Sequence, residues 1–272
     1  MALESTTSLR LRGPASMVAM RNIEGMSVVV TGAGSGIGEA TARWFAERGA
    51  KVTICGRRPD KIAAVAESIG PRCEAVVADV AVADDRDRLI AAALAHGGGI
   101  DVLVNNAANM YRGPLETLEE SALQEVFHTN VIGPMMLTQA AYGPLAQRRG
   151  AVIFIGSVHT KRAFPGVSPY AATKGALETL TGVLAAELGP KGIRVSCLRP
   201  GAVFTELNQR AGLFDDETAL ARLQSLGSSH ALGRIGTGEE IAEAIGYLAC
   251  AEWTTGEVLV VDGGLGLGVT NA

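Results

Sequence analysis

The feature that most constrains the fold is a regular alternation, from residue 26 onward, of short β-branched runs with longer helical patterns. Strands are predicted at residues 27–32, 51–55, 73–80, 101–106, 151–157, 193–198 and 257–264. Helices are predicted at residues 36–48, 60–68, 84–96, 118–147, 170–188 and 238–250. Strands that are apolar on both faces and separated by helices pair in parallel, because each crossover must return along the sheet. The sequence therefore predicts an α/β fold: a doubly wound, parallel sheet of seven strands with helices on both faces.

The length and composition favour a single domain. A chain of 272 residues suits one large α/β domain, and a content of 47% hydrophobic but only 4% aromatic residues indicates an aliphatic core. We assign this domain to residues 23–272 and expect residues 1–22 to form a flexible N-terminal extension. The first residues could equally be leader residues before a start at Met17 or Met20, and the sequence leaves both interpretations open.

Charge and cysteine usage exclude several classes of protein. The 24 basic and 28 acidic residues give a net charge of −4, which does not indicate nucleic acid or a membrane as partner. The four cysteines lack metal-binding spacing, so we expect neither a disulfide nor a metal site. No apolar run reaches the roughly 18–20 residues of a membrane helix, and we expect a cytoplasmic protein.

A glycine-rich loop joins the first predicted strand to the first helix, in residues 31–40. Gly32, Gly36 and Gly38 permit a close approach of a pyrophosphate to the main chain, and the helix amino terminus offers unpaired N–H groups. The spacing departs from the usual GxGxxG fingerprint. Its position between a strand and a helix nevertheless predicts a dinucleotide site.

Two cations follow the second predicted strand. Chains that bind NAD usually carry an acidic residue here, whereas this sequence has Gly56 followed by Arg57 and Arg58. Cations just before a helix oppose its dipole by roughly 0.3–1 kcal/mol each, a penalty that a bound anion reverses. The 2′-phosphate of NADP is the natural candidate, and a solvated surface pair is the alternative.

Small or polar residues also close the third and fourth predicted strands. Asp79 and Val80 end the third, and the run from Asn105 to Ala108 ends the fourth. Each could be an ordinary turn. Because carboxyl ends of parallel strands share one edge, together they predict one cleft.

Tyr170 and Lys174 form the candidate reactive pair. Four residues apart on a predicted helix, they share a face. Lowering a phenol pKa from about 10 to about 7 requires about 4 kcal/mol, which a cation about 4 Å away supplies at an effective dielectric constant of about 20. We therefore expect a phenol that exchanges protons near neutral pH, as carbonyl reduction requires.

These residues, taken together, resemble the short-chain dehydrogenase/reductase family in its single-domain, Rossmann-type branch, and in particular the 3-oxoacyl reductases. The likeness covers residues 26–264. It is carried by motifs in the order of the family: Thr31-Gly32-x-x-x-Gly36-x-Gly38, Asn105-Asn106-Ala107, Asn130, Ser157, Tyr170-x-x-x-Lys174 and Pro200-Gly201.

The resemblance implies four catalytic residues. Tyr170 would donate the proton and Ser157 would hydrogen-bond the carbonyl oxygen. Lys174 would lower the phenol pKa and hold the nicotinamide ribose, and Asn130 would fix a water relay to this lysine.

The resemblance also implies a cofactor site with no metal. Its residues would be Gly32, Ser35, Gly36, Ile37, Gly38, Arg57, Arg58, Asp79, Val80, Asn106, Ala107, Tyr170, Lys174, Pro200, Gly201, Val203 and Thr205. Two positions depart from the pattern: Ala108 stands where the family often has Gly, and Ser35 where many NADP-preferring members carry a basic residue.

The surroundings of the site are less defined. Residues 204–229, with Met110 and Tyr111, are expected to form a lid over the substrate. His159 could face substrate or be a packing residue, whereas we expect the other histidines, at 96, 128 and 230, to be structural.

The predicted function is NADP(H)-dependent interconversion of a small-molecule ketone or aldehyde and an alcohol. An NAD-dependent alcohol dehydrogenase of the same family is the alternative, and a non-catalytic dinucleotide-binding regulatory protein is the alternative from another class. The family resemblance implies a homotetramer or homodimer, paired through the helices predicted at 118–147 and 170–188.

Overall fold

The computed structural model describes residues 20–205 and 224–268. Within these ranges seven parallel strands form one sheet in the order β3-β2-β1-β4-β5-β6-β7. The strands are β1 (Ser27–Thr31), β2 (Lys51–Gly56), β3 (Cys73–Val77), β4 (Val102–Asn105), β5 (Ala151–Ile155), β6 (Arg194–Pro200) and β7 (Val258–Val261). The predicted doubly wound, seven-stranded parallel sheet is confirmed.

Helices cover both faces of the sheet. They are α1 (Gly36–Glu47), α2 (Pro59–Ile69), α3 (Ala83–Gly97), α4 (Glu120–Phe127), α5 (Gly133–Ala140), α6 (Tyr142–Arg148), α7 (Ser168–Leu188) and α8 (Gly238–Cys250). Phe45 of α1 and Ile241 of α8 belong to the core on one face. Leu89 of α3 and Leu177 of α7 belong to the core on the other. Aliphatic side chains therefore shield both faces, as a parallel sheet requires.

The segment predicted as one helix at 118–147 is interrupted. Between α4 and α5 the chain makes a π-helical turn at His128–Ile132, and Ala141 separates α5 from α6. A π turn accommodates one extra residue and is frequent at functional sites. Gly133 follows the turn, and a Cβ there would lie 2.9 Å from the carbonyl oxygen of Val80, so a larger residue would separate this helix from the loop after β3.

The residues just before β1 are bound to the rest of the fold. Arg21 donates from its main chain to Cys250 at 3.1 Å and from its guanidinium to Asp101 at 2.8 Å. Asp101 also accepts from the main chain of Ser27. Arg21 is thereby tied to the start of β1, while residues 1–19 of the expected extension lie outside the described residues.

Two further findings concern membrane segments and the cysteines. No helix within residues 20–205 and 224–268 is long and apolar enough to cross a membrane. All four cysteines are free, and no cluster of potential metal ligands occurs in the part of the chain that the structure describes.

Candidate active site

The strand order reverses between β1 and β4, so the connections after these two strands run toward opposite edges of the sheet. A cleft opens between them, beyond the carboxyl ends of the strands. A cavity of about 360 Å³ occupies this cleft. Most of the predicted site residues line it: Gly32, Ser35, Gly36, Ile37, Arg57, Arg58, Asp79, Val80, Asn106, Ala107, Ser157, Tyr170, Lys174, Pro200, Gly201, Val203 and Thr205. Gly38 and Asn130 are absent from its lining and support it instead.

The glycine loop is shaped for close main-chain approach. Gly32 and Gly36 have φ angles of +66° and +58°, a region that side chains with a Cβ rarely adopt. A Cβ on Gly32 would lie 2.7 Å from the Cα of Ala107. A Cβ on Gly38 would lie 2.5 Å from the side-chain nitrogen of Asn106. The loop and the amino end of α1 thus leave main-chain groups accessible beside the cavity, in an arrangement that fits a pyrophosphate.

The Thr31 hydroxyl joins the loops after β1 and β4. Its oxygen accepts from the main-chain N–H groups of Asn106 at 3.0 Å and Ala107 at 2.9 Å. The Asn106 carboxamide donates in turn to the carbonyl oxygen of Thr31 at 2.8 Å. Two neighbouring strand ends are therefore held at a fixed separation across the cleft.

The two arginines after β2 lie at the same edge. One guanidinium nitrogen of Arg57 donates to Asn109 Oδ1 at 3.0 Å, and another lies 3.7 Å from a carboxylate oxygen of Asp79. Arg58 donates to the Ser35 hydroxyl at 3.3 Å. Half of the Arg57 side chain remains exposed. Both cations therefore border the cavity beside the amino end of α1.

The loop after β6 closes the opposite side. Gly201 packs against the end of β7, where a Cβ would lie 2.7 Å from the Cα of Asp262. Val203 forms a bridge with Gly236. The Thr205 side chain lies next to the glycine loop, since a Cβ on Gly36 would be 3.1 Å from its Cγ2 atom. Of the expected lid, Met110, Thr205 and Leu226 line the cavity, and residues 206–223 lie outside the described residues.

Tyr170 and Lys174 lie on the first turns of α7, and both are buried. Lys174 Nζ donates to the carbonyl oxygen of Ile155 at 2.8 Å, and it lies 5.5 Å from the centroid of the Tyr170 ring. Ser157 follows β5 and reaches the same wall of the cavity. A phenol, a serine hydroxyl and an ammonium group thus converge on one region.

We expected Lys174 to lower the pKa of the Tyr170 phenol, and within the protein alone this prediction is wrong. Burial raises the pKa of Tyr170 to about 12, opposed by a hydrogen bond from Ser157 and by the charge of Arg112. Burial also lowers the pKa of Lys174 to about 8. A Coulomb calculation between two charges omits the cost of desolvation, which dominates here. The phenol consequently retains its proton at neutral pH.

Asn130 lies in the π turn, and both the oxygen and the nitrogen of its carboxamide form hydrogen bonds. Its oxygen accepts from the main chain of Asn109 at 2.8 Å, and its nitrogen donates to the carbonyl of Asn109 at 2.9 Å and to Thr173 Oγ1 at 3.1 Å. Thr173 precedes Lys174 on α7. Asn130 therefore connects the loop after β4 to the helix that carries the reactive pair.

Three groups at the site were missed or left undecided by sequence reasoning. Asn109 directly follows the run from Asn105 to Ala108, so extending that run by one polar residue would have found it. Arg112 and His159 line the cavity, and no motif marks the former. The remaining histidines are bound to main-chain carbonyl oxygens, as a structural role predicts: His96 to Arg72, His128 to Ala81 and His230 to Leu226.

Comparison with known proteins gives consistent matches. A family model described as enoyl-(acyl carrier protein) reductase matches residues 32–266. The chain is 35% identical over 249 residues to dehydrogenase/reductase SDR family member 4 of Sus scrofa, covering 89% of this chain and 88% of the relative.

Two solved structures are similar in both sequence and fold. The 3-ketoacyl-(acyl-carrier-protein) reductase of Brucella melitensis complexed with NADH aligns with a TM-score of 0.82 at 33% identity, covering 90% of this chain and 99% of that one. Gluconate 5-dehydrogenase of Burkholderia cenocepacia in complex with NADP and tartrate aligns with a TM-score of 0.81 at 35% identity, covering 90% and 97%.

The Thr31 bridge yields a prediction on stability. Thr31→Val removes the hydroxyl at nearly constant volume. It leaves the main-chain N–H of Ala107 without its acceptor, while the N–H of Asn106 retains only the carbonyl oxygen of Val104 at 3.1 Å, so we expect a loss of about 1–3 kcal/mol in the free energy of unfolding. Urea denaturation of the folded protein measures this loss. Thr31→Ser keeps the hydroxyl and is the matched control. Equal stability of the Val and Ser variants would contradict the proposed bridge.

Proposed function

We propose that this chain, which belongs to the short-chain dehydrogenase/reductase family and is therefore an oxidoreductase, interconverts a ketone or aldehyde and an alcohol with NADP(H). The observation that carries the proposal is the convergence of Ser157, Tyr170 and Lys174 on a cavity whose other wall is the glycine loop. One cavity thus combines a proton donor with a cradle for a dinucleotide.

The residues present fit a nicotinamide dinucleotide. The positive φ angles of Gly32 and Gly36, and the position of Gly32, Gly36 and Ile37 in the cavity lining, favour a pyrophosphate at the amino end of α1. The loop from Pro200 to Thr205 would hold the nicotinamide half. When bound, such a cofactor supplies the hydride, and the protein supplies binding, orientation and the proton.

The side chains around the carbonyl oxygen have distinct tasks in this proposal. Tyr170 donates its hydroxyl proton to the oxygen, and Ser157 donates a hydrogen bond to the same atom, which stabilises developing negative charge. Lys174 carries positive charge next to the tyrosine. The raised pKa of Tyr170 keeps the phenol protonated at neutral pH, which is the state that proton donation requires.

Turnover is tested with a panel of ketones, aldehydes and alcohols, followed by nicotinamide absorbance with both cofactors in parallel. The panel includes a 3-oxoacyl thioester, because of the family resemblance, and an enoyl thioester, because of the description of the matching family model. Dinucleotide binding without turnover of any substrate would favour the non-catalytic alternative.

Tyr170→Phe tests the proton donor. The variant keeps the ring and loses the hydroxyl, so we expect kcat for carbonyl reduction to fall by about 10²–10⁴-fold, the usual contribution of general acid–base catalysis. Dinucleotide affinity, measured by fluorescence titration, should change little. Undiminished turnover would exclude Tyr170 as the donor.

The cofactor preference rests on the end of β2. The absence of a carboxylate at Gly56, and the presence of Arg57 and Arg58 at the cavity, support a 2′-phosphate site. The complexes of the two similar structures contain NADH in one case and NADP in the other, so the residues of this chain must carry the argument. A phosphate would also compensate the two cations at the amino end of α2.

Arg57→Ala tests this preference. Hydrogen bonds to charged groups contribute about 1.5–3 kcal/mol, so we expect the Kd for NADPH to rise about 10- to 100-fold while that for NADH changes far less. Arg72→Ala is a control, since Arg72 donates to Gly49 and is not part of the cavity lining. Equal losses for both cofactors would favour the NAD-dependent alternative.

We also propose that the protein is a homodimer or homotetramer. Apolar side chains are exposed on α5, α6 and α7 and on the turn before them: Ile132, Met135, Met136, Tyr142 and Val183. Exposed apolar side chains on neighbouring helices are typical of interaction surfaces. The resemblance implies pairing through these same helices.

Val183→Arg tests the assembly. A buried arginine at a pairing helix costs several kcal/mol, so we expect light scattering to give a smaller particle than the wild-type protein. Leu94→Arg, on the exposed side of α3, is the matched control and should leave the particle mass unchanged. A wild-type mass near 28.1 kDa would identify a monomer and overturn the proposal.

A further inference from the structure

The hydroxyl of Ser157 lies within hydrogen-bonding distance of two nitrogen atoms of His159. Its Oγ lies 2.8 Å from Nδ1 of the His159 ring and 3.3 Å from the main-chain nitrogen of His159. Ser157 is 6% exposed and lies where β5 gives way to a short 3₁₀ turn, Val158–Thr160. The side chain is therefore held by contacts that are local in sequence.

The hydrogen-bonding capacity of this hydroxyl is limited. A serine hydroxyl has one hydrogen to donate and two lone pairs with which to accept. The main-chain N–H of His159 can only donate, so it occupies one lone pair. The ring nitrogen either donates to the second lone pair or accepts the only hydrogen. These two cases leave Ser157 with different functions.

Only the first case allows Ser157 to act on a carbonyl oxygen. If Ser157 donates to His159, no hydrogen remains for the substrate or for Tyr170. If both donors of His159 point at Oγ, the Ser157 hydrogen is directed away from the histidine. A hydrogen bond from Ser157 lowers the pKa of Tyr170, which requires the Ser157 hydrogen and so belongs to the first case.

We propose that His159 is a positioning residue: in its Nδ1–H tautomer it donates to Ser157 Oγ and thereby directs the Ser157 hydrogen toward Tyr170 and the carbonyl oxygen. This inference rests on the proposed carbonyl chemistry. It assigns to His159 a task that the family motifs do not include, since His159 acts through Ser157 and not on the reacting atoms.

The surroundings of the ring favour this role. The His159 ring meets the edge of the Tyr170 ring at a centroid distance of 5.6 Å and an interplanar angle of 90°, and it lies 4.8 Å from the centroid of Phe164. Two aromatic neighbours therefore fix its orientation. Burial, followed by the charge of Arg112, lowers the pKa of His159 to about 4, so the ring is neutral at physiological pH. A neutral ring has one N–H, and its position decides the direction of the Ser157 hydrogen.

The Thr160 hydroxyl adds rigidity on the other side of the turn. It donates to Glu178 Oε1 at 2.7 Å, and Glu178 accepts two hydrogen bonds from Arg199 at 2.8 Å and 2.6 Å. The turn that carries His159 is thus attached to α7 and to β6. The histidine cannot easily swing away from Ser157.

A pair of amide substitutions tests the role of Nδ1. In His159→Asn the amide nitrogen takes nearly the place of Nδ1, whereas in His159→Gln it lies farther out, near the place of Nε2. We expect kcat for carbonyl reduction to fall about tenfold or more in the Gln variant and in His159→Leu, a partial loss of the effect of one oxyanion donor. The Asn variant should retain at least several-fold more activity than the Gln variant.

The Kd for the dinucleotide and the urea midpoint should be equal in all three variants, which separates positioning from folding. Equal kcat values in the Asn and Gln variants would overturn the proposal.

The tautomer is measured directly by NMR of the wild-type protein with ¹⁵N-labelled histidine rings. The signal of His159 is assigned by its absence from the Asn variant. We expect a proton on Nδ1 and none on Nε2 at neutral pH. A proton on Nε2 alone would overturn the inference even if the enzyme is fully active. A chain with the expected tautomer but no carbonyl turnover would instead contradict the proposed function.

Discussion

Pairing of β1 with β4 is the constraint on which the rest of the site depends. Because the sheet is covered on both faces, its strands can present polar groups only at their ends, and the reversal of strand order leaves space at one such place. Thr31 fixes the width of that space through two main-chain donors of the β4 loop. The glycine residues then allow the two loops to approach each other, since side chains at Gly32 or Gly38 would separate them.

Burial determines the protonation states at the reactive end of the cavity. The phenol of Tyr170 is kept neutral, the pKa of Lys174 is lowered toward the physiological range, and the imidazole of His159 is neutral. All three shifts have desolvation as their largest cause. The protein thus places a protonated phenol, a neutral imidazole and the buried amino group of Lys174 at one end of the cavity. The positive charge near the phenol therefore changes the pKa of Tyr170 less than burial does.

The sequence predicted the sheet, the strand ends and most of the cavity lining, because each of these follows from local pattern. β-Branched runs locate strands, and in a parallel sheet every strand end contributes to the same edge. Sequence could not give the balance of pKa effects, since burial of Tyr170 and Lys174 arises from residues far apart in the chain. The single helix predicted at 118–147 is in fact interrupted by a π turn and divided into α4, α5 and α6, which local pattern could not reveal. Nothing local marks the π turn, whose purpose is to aim Asn130 at the loop after β4.

That turn also connects the two ends of the cleft. The Arg57 guanidinium holds the side chain of Asn109, the Asn130 carboxamide clamps the main chain of the same residue, and Asn130 also binds Thr173, whose hydroxyl donates to the carbonyl oxygen of Tyr170 at 2.7 Å. A series of hydrogen bonds therefore runs from Arg57 at one end of the cavity, through Asn109, Asn130 and Thr173, to the main chain of Tyr170 at the other. The π turn thus fixes the positions of the two ends of the cavity relative to each other.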